Sequence, residues 1–147
     1  MVLSGGAVAS RCSGWSEDQI SHAIIACAIE VHRTLGSPGL LESVYEEALI
    51  WEMEQRGLMV QRQALLPIQY KLIQLASPLR IDILVEDRII VECKSTEKHN
   101  DIFEAQALTY LRLSGKHLAL VINFGMRTIK DGLHRIINGY MPHQPPI

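Results

Sequence analysis

The stretch RIDILVEDRIIVECKS, residues 80–95, reads as two short apolar strands joined by a charged turn. Its polar residues break that pattern. Asp82 interrupts the first strand, and Glu92 and Lys94 sit two apart on the second, where apolar residues are the ordinary choice. Strand side chains alternate faces, so register decides which residues meet. A turn centred on Asp87 sets Val85 opposite Ile89, Ile83 opposite Val91 and Ile81 opposite Cys93, an all-apolar face. The other face then holds Asp82 across from Glu92 and Arg80 across from Lys94, beside Leu84 and Ile90. A shift of one residue would bury charge on both faces. Hydrophobic patterning alone therefore predicts two carboxylates on facing positions, with Cβ atoms about 4.5–5.5 Å apart. Carboxylates that close repel, and each raises the other's pKa unless a cation joins them. Lys94 supplies part of that compensation; a hard divalent ion with oxygen ligands, Mg²⁺ or Mn²⁺, supplies more. The bland alternative is a solvated hairpin face in which Arg80, Asp82, Arg88, Glu92 and Lys94 make ion pairs worth about a few tenths of a kcal/mol each.

Working outward, Ser16 with Gln19 three residues on is a capping-box pattern, and Ile20, Ala23, Ile24, Cys27, Val31 and Leu35 follow at helical spacing until Gly36. After the turn GSPG, a second helix is predicted over Leu41 to Arg56, with Leu41, Val44, Tyr45, Ala48 and Leu49 on one side and Gly57 as its stop. Three strands follow, about 59–66 with a continuation past Pro67 towards Tyr70, then 80–85 and 88–94. Asn100 or Asp101 caps a third helix whose apolar stripe is Phe103, Ala107, Leu108 and Leu111, ending near Gly115. LALVIN, residues 118–123, suits a buried strand, and 128–138 reads as a further strand and a short helix. The expected order is helix, three-strand meander, helix, strand.

The chain of 147 residues is expected to form a single domain over 16–140, with a loose Gly/Ser/Ala-rich leader over 1–15 and a Pro-rich tail over 141–147. Three cysteines without CxxC spacing indicate neither a disulfide framework nor a cysteine zinc site, and a reducing cytoplasmic setting is expected. No apolar run reads as a membrane span. The net charge of -2 argues against strong nonspecific attraction to a polyanion, although Lys94, Lys98, Arg112, Lys116, Arg127, Lys130 and Arg135 give the second half a local basic character.

Asp on the second strand and Glu-x-Lys on the third resemble the core of the PD-(D/E)XK nuclease superfamily. GLLESVY, with Gly39, Glu42 and Tyr45, is similar to the signature of its GxxExxY family. AIEVHRTLG, EAQALTYLRLSG and LVINFG extend that similarity over about residues 20–137. The resemblance implies an α/β, restriction-endonuclease-like αβββαβ core, with a mixed central sheet flanked by helices. It implies that Asp82, Glu92 and the backbone carbonyl of Cys93 bind Mg²⁺ or Mn²⁺. Lys94 would assist the attacking water, and Glu42 and Gln106 would join the catalytic set. The chain departs from the family's common form at Leu72, at Leu79, at Phe103 and in the GSPG turn; none of these is Asp82, Glu92 or Lys94.

The activity expected is divalent-metal-dependent hydrolysis of nucleic-acid phosphodiester bonds, with DNA the first candidate. The rival is a catalytically silent adaptor that keeps the fold. A homodimer is compatible with either. Tyr45, Tyr110 and Arg80 are candidate substrate contacts, the tyrosines weighed against an ordinary role as half-buried residues with one hydroxyl bond. The six histidines show no H-x3-H spacing, so His99 is expected as a loop residue. Cys93 is expected in the core, and Trp15 and Trp51 as packing anchors.

Overall fold

Ser16 starts the first helix in the computed structural model, which describes residues 10–36 and 39–139. The Ser16 hydroxyl accepts from the Gln19 N–H while the Gln19 side chain accepts from the Ser16 N–H, completing the capping box of α1 (Glu17–Leu35). Ile20, Ile24, Cys27 and Val31 bury one face, and Gly36 ends the helix at φ 79°. Helix α2 (Glu42–Gln55) departs from the predicted stripe. It buries Tyr45, Leu49 and Met53 together with Glu46, while Leu41 is 74 % exposed and Val44 also faces outward. Glu46 can be buried because its carboxylate accepts from Arg62 Nε and Gln63 Nε2, both at 2.9 Å. Trp51, expected as an anchor, is 58 % exposed, on the side of α2 away from its buried face. Trp15 does pack against the core.

Five strands form one sheet in the order β1 (Val60–Leu66), β4 (Leu79–Val85), β5 (Ile89–Lys94), β6 (Leu118–Asn123), β7 (Leu133–Ile137). Between β1 and β4 lies a separate two-stranded hairpin, β2 (Gln69–Tyr70) and β3 (Ile73–Gln74), where a continuation of the first strand was expected. All neighbours in the large sheet are antiparallel except β5 and β6, which α3 (Ile102–Ser114) connects in parallel. Asn100, not Asp101, supplies the side-chain bond at the start of α3, accepting from the Ile102 N–H at 3.0 Å. The segment after β6 forms the short helix and the strand expected there, as α4 (Ile129–Gly132) and then β7. The chain is thus an α/β domain with a mixed sheet flanked by helices.

Helices α1 and α2 cover one face of the sheet, over Ile83, Val85, Ile89, Val91, Cys93, Leu118, Leu120 and Ile122. Ala107 and Leu111 of α3 cover the other, over Leu84, Ile90, Ala119 and Val121. Because both faces are covered, β6 is buried throughout and reads as an unbroken apolar run. The β4–β5 turn falls where patterning set it. Val85 pairs with Ile89 and Ile83 with Val91, and Glu86 and Asp87 take the positive φ values of 52° and 55° that the tight turn requires.

The predicted alternation fails at one residue. Ile81, expected on the face of Ile83, packs instead with Leu84 and Ile90 on the α3 side, as does Leu79. On β1 the same change occurs, with Val60 on the α1 side but Ala64 and Leu66 on the α3 side. Register is constant across the change, with Arg62 opposite Ile83 and Ala64 opposite Ile81, yet the intervening positions, Gln63 and Asp82, leave the ladder. Gln63 sits at φ 50°, in the left-handed region. Both strands change side together at Asp82.

Residues 1–9 of the expected leader and the whole of the expected tail lie outside the described residues. Within residues 10–15, Cys12 is 1 % exposed and the Ser10 hydroxyl bonds Glu86 at 2.6 Å, while Arg11, Ser13 and Gly14 are exposed. No helix among the described residues is long and apolar enough to cross a membrane.

Beyond the parallel pair, the chain ends of β5 and β6 are latched. Buried Asn123 accepts from the Thr96 N–H at 3.0 Å and the Gly125 N–H at 2.9 Å, and donates to Thr96 Oγ1 at 2.9 Å. A Cβ on Gly125 would stand 2.6 Å from the Thr96 amide nitrogen. Gly125→Ala is therefore expected to destabilise the fold by about 1–3 kcal/mol. Urea unfolding should show a lower midpoint with an unchanged slope.

Candidate functional site

Where Asp82 leaves the ladder, side chains replace backbone bonds. Its Oδ2 accepts from the Cys93 N–H at 3.1 Å, and its own N–H reaches Glu92 Oε1 at 3.4 Å. The predicted carboxylate pair is brought together, although by a change of strand side rather than by simple alternation. Glu92 is only 4 % exposed. Burial pushes its pKa up to about 9, and the side chain of Asp82 adds to the rise, against a partial downward pull from Lys94.

Lys94, at the end of β5, points its ammonium to Gln106 Oε1 at 3.4 Å and lies 4.9 Å from the centre of the Phe103 ring. Gln106 in turn donates from Nε2 to the Tyr110 hydroxyl at 2.8 Å. That bond fixes which end of the amide faces Lys94, so Tyr110 acts through Gln106. Burial raises the Tyr110 hydroxyl pKa, and the charge of Glu92 adds to it.

Glu42 arrives from the first turn of α2. The loop after Lys94 is tied to the segment before that helix, with Ser95 Oγ donating to the Leu40 carbonyl at 2.8 Å. Glu42 senses the rest of the site: burial raises its pKa, Lys94 opposes the rise, and Asp82 and Glu46 add to it. Five predicted residues, Asp82, Glu92, Lys94, Gln106 and Glu42, thus occupy one electrostatic neighbourhood.

One candidate substrate contact, Tyr45, lies elsewhere. Tyr45 is fully buried, stacks on Phe124 with centroids 4.7 Å apart, and donates to the Gly36 carbonyl at 2.7 Å. Its place is in the core beneath the site, out of reach of a substrate, and it is the one-bond tyrosine of the ordinary reading. Arg80 is exposed on β4, opposite Leu65, and makes no ion pair among the described residues. Cys93 lies in the core as expected; burial holds its thiol well above the usual range, with surrounding acids adding to the shift.

Phe103 and Glu46 were missed as neighbours of the site. Phe103 reads as core from its spacing, and only the fold brings Lys94 over its face. Glu46 follows Glu42 by four residues, one helical turn, a signal that was available.

The donor set fits a hard divalent cation. Two oxygen-donor side chains meet in a low-dielectric setting where a proton otherwise supplies the neutralising charge, and a doubly charged ion would replace that proton. A family model for the PD-(D/E)XK nuclease superfamily matches residues 18–136. The chain belongs to that superfamily. No curated protein and no solved structure was found to match it. Membership agrees with the mixed five-stranded sheet and puts nuclease chemistry ahead of other uses of the pair.

The raised pKa of Glu92 has a thermodynamic consequence. Without divalent cations the folded chain keeps a proton that the unfolded chain releases above about pH 4.5. This contribution to stability is full below that pH and is lost progressively as pH rises to about 9. Glu92→Gln, which mimics the protonated acid, is expected to flatten the decline. Thermal unfolding in chelator at pH 5 and pH 8 should show the variant gaining on the wild type at pH 8.

Proposed function

We propose that this domain is a divalent-metal-dependent nuclease that hydrolyses phosphodiester bonds of nucleic acid, with DNA the first substrate class to test. The observation that carries the reading is the Asp82–Glu92 carboxyl pair, Glu92 buried and Asp82 half-buried, with the charge of Lys94 acting on Glu92. The similarity of GLLESVY to the GxxExxY signature supports the same reading.

Asp82, Glu92 and the backbone carbonyl of Cys93 are the proposed ligands of Mg²⁺ or Mn²⁺. When bound, the ion supplies positive charge against the phosphodiester and makes water more acidic. Lys94 carries the fixed positive charge that stabilises negative charge developing on the phosphate oxygens and orients the attacking water. Gln106 holds the lysine ammonium in place, and Tyr110 holds Gln106, which makes Tyr110 a positioning residue. Glu42, exposed at the first turn of α2, is the additional acid that accepts a proton or strengthens cation binding. Arg80, the exposed cation on the strand of Asp82, is the proposed contact to the substrate backbone.

Calorimetry with Mn²⁺ and cleavage of DNA and RNA test this assignment together. Asp82→Asn is expected to lose Mn²⁺ binding and cleavage. Lys94→Met should keep the metal but lose on the order of 10²–10³ in kcat. Cleavage that survives both substitutions would refute the assignment. A wild-type chain that binds no Mn²⁺ and cuts neither polymer would leave the adaptor reading in its place.

A further inference from the structure

A second cluster lies beside Phe103, whose ring also meets the lysine. His99 from the loop after β5, Glu104 from the first turn of α3 and His134 from edge strand β7 each offer one ligand atom, all within 4.8 Å of one another. Glu104 Oε1 stands 2.7 Å from His99 Nε2 and 3.4 Å from His134 Nδ1. The two imidazoles stack with centroids 3.9 Å apart and planes 24° from parallel. We propose that these three side chains form a metal site for a borderline transition ion, Zn²⁺ by preference, separate from the Asp82–Glu92 pair.

The chemistry of the donors distinguishes the two sites. Imidazole nitrogen favours zinc, cobalt, nickel and copper, whereas carboxylates and carbonyls suit magnesium and manganese. Two histidines with one carboxylate match a three-ligand zinc site that keeps a fourth position open. Bonds of about 2.0–2.1 Å in a tetrahedron place neighbouring ligand atoms roughly 3.4 Å apart. The His134–Glu104 separation is already at that value, and the His99–Glu104 pair, at 2.7 Å, would open by a small rotation of the His99 side chain.

Charge favours a cation. Among the described residues the ion-pair partners of Glu104 are these two imidazoles, with no lysine or arginine beside it. With neutral imidazoles the cluster is therefore a carboxylate without a permanent positive partner. Among the described residues His99 Nδ1 and His134 Nε2, the ring nitrogens not paired with Glu104, are buried without a hydrogen-bond partner, so neither imidazole is held in the cluster by a bond from its other nitrogen. The side chains of His99, His134 and Glu104 remain 24 %, 26 % and 44 % exposed, which leaves an ion a path of entry.

The site's position gives it a consequence. An ion there would join the loop following Lys94, the start of α3 and the edge strand. Phe103 precedes Glu104 and touches a member of each cluster, with the His99 ring edge-on at 6.2 Å and the Lys94 ammonium 4.9 Å from its centre. Occupancy would brace the helix that positions Lys94 and Gln106.

Cobalt is the probe, because tetrahedral Co²⁺ absorbs visibly with a signature that hexahydrated ion lacks. Untagged full-length chain should bind one Co²⁺ with that spectrum and release it to Zn²⁺. The spectrum should survive in an Asp82→Asn, Glu92→Gln double variant and vanish in His99→Gln and in His134→Gln. Zn²⁺ should raise the melting temperature of the wild type but of neither histidine variant. Circular dichroism establishes that each variant is folded; should the strand variant His134→Gln unfold, the loop variant His99→Gln decides. No tetrahedral spectrum in the wild type, a spectrum retained without the histidines, or one lost only with Asp82 and Glu92 would overturn the proposal.

Discussion

The geometry of the site depends on the point where β1 and β4 leave their ladder together. A regular strand places residues two apart on the same face, which would send Ile81 and Ile83 into one core. Here they enter different cores, and the residue between them is Asp82. Its backbone amide and carboxylate are released from ladder geometry and turn to the neighbouring strand, where they engage Glu92 and the Cys93 amide. Gln63 absorbs the same change on β1 in a left-handed conformation and spends its side chain on Glu46. The departure from regular pairing thus creates the site and also links it to α2.

That linkage settles how a buried acid pair is tolerated. Burial of unpaired carboxylates is costly, and the chain limits the cost by distributing acids among different partners. Glu46 takes Arg62 and Gln63, Glu104 takes two imidazoles, and Asp82 takes a backbone amide. Glu92 receives least, a long 3.4 Å bond from the Asp82 amide and a partial pull from the charge of Lys94, and its burial raises its pKa accordingly. A buried acid left under-compensated beside a second carboxylate is a mark of function. Lys94 cannot close the gap because Gln106 and Phe103 hold its ammonium towards α3.

Much of this was legible in the residues, for reasons that can be stated. The β4–β5 register followed from the turn because a one-residue slip would have buried charge, and residues 83–91 obey it. Ser16, Gly36 and the run LALVIN announced their elements through capping and burial alone. Ile81 did not obey, because alternation is a local rule and the change of side requires two strands at once. The stripe of α2 differs from its apolar pattern because Glu46 is buried, and its partners Arg62 and Gln63 come from the next strand, which helical spacing does not reveal. Tyr45 resembled a site residue through its place in GLLESVY, yet its ring supports the site from below by stacking on Phe124. His99 and His134 carry no spacing signal, being 35 residues apart, and only the meeting of β7 with the start of α3 joins them.

The arrangement around α3 follows from the same topology. A parallel β5–β6 pair needs a crossover, and α3 crosses over the face that holds Leu84 and Ile90. Its first turns therefore pass the carboxyl end of β5, where Lys94 emerges, before the chain descends to β6. Edge strand β7 then brings His134 to the start of α3, and the Asn123 latch fixes the loop that carries His99 between them. One helix N-terminal segment is consequently read from two sides, by a lysine over the face of Phe103 and by two imidazoles on Glu104. Whatever holds Glu104 in place also fixes the start of the helix on which Gln106 stands, half a turn further on. The geometry of Lys94 thus depends on the edge of the sheet as much as on its centre.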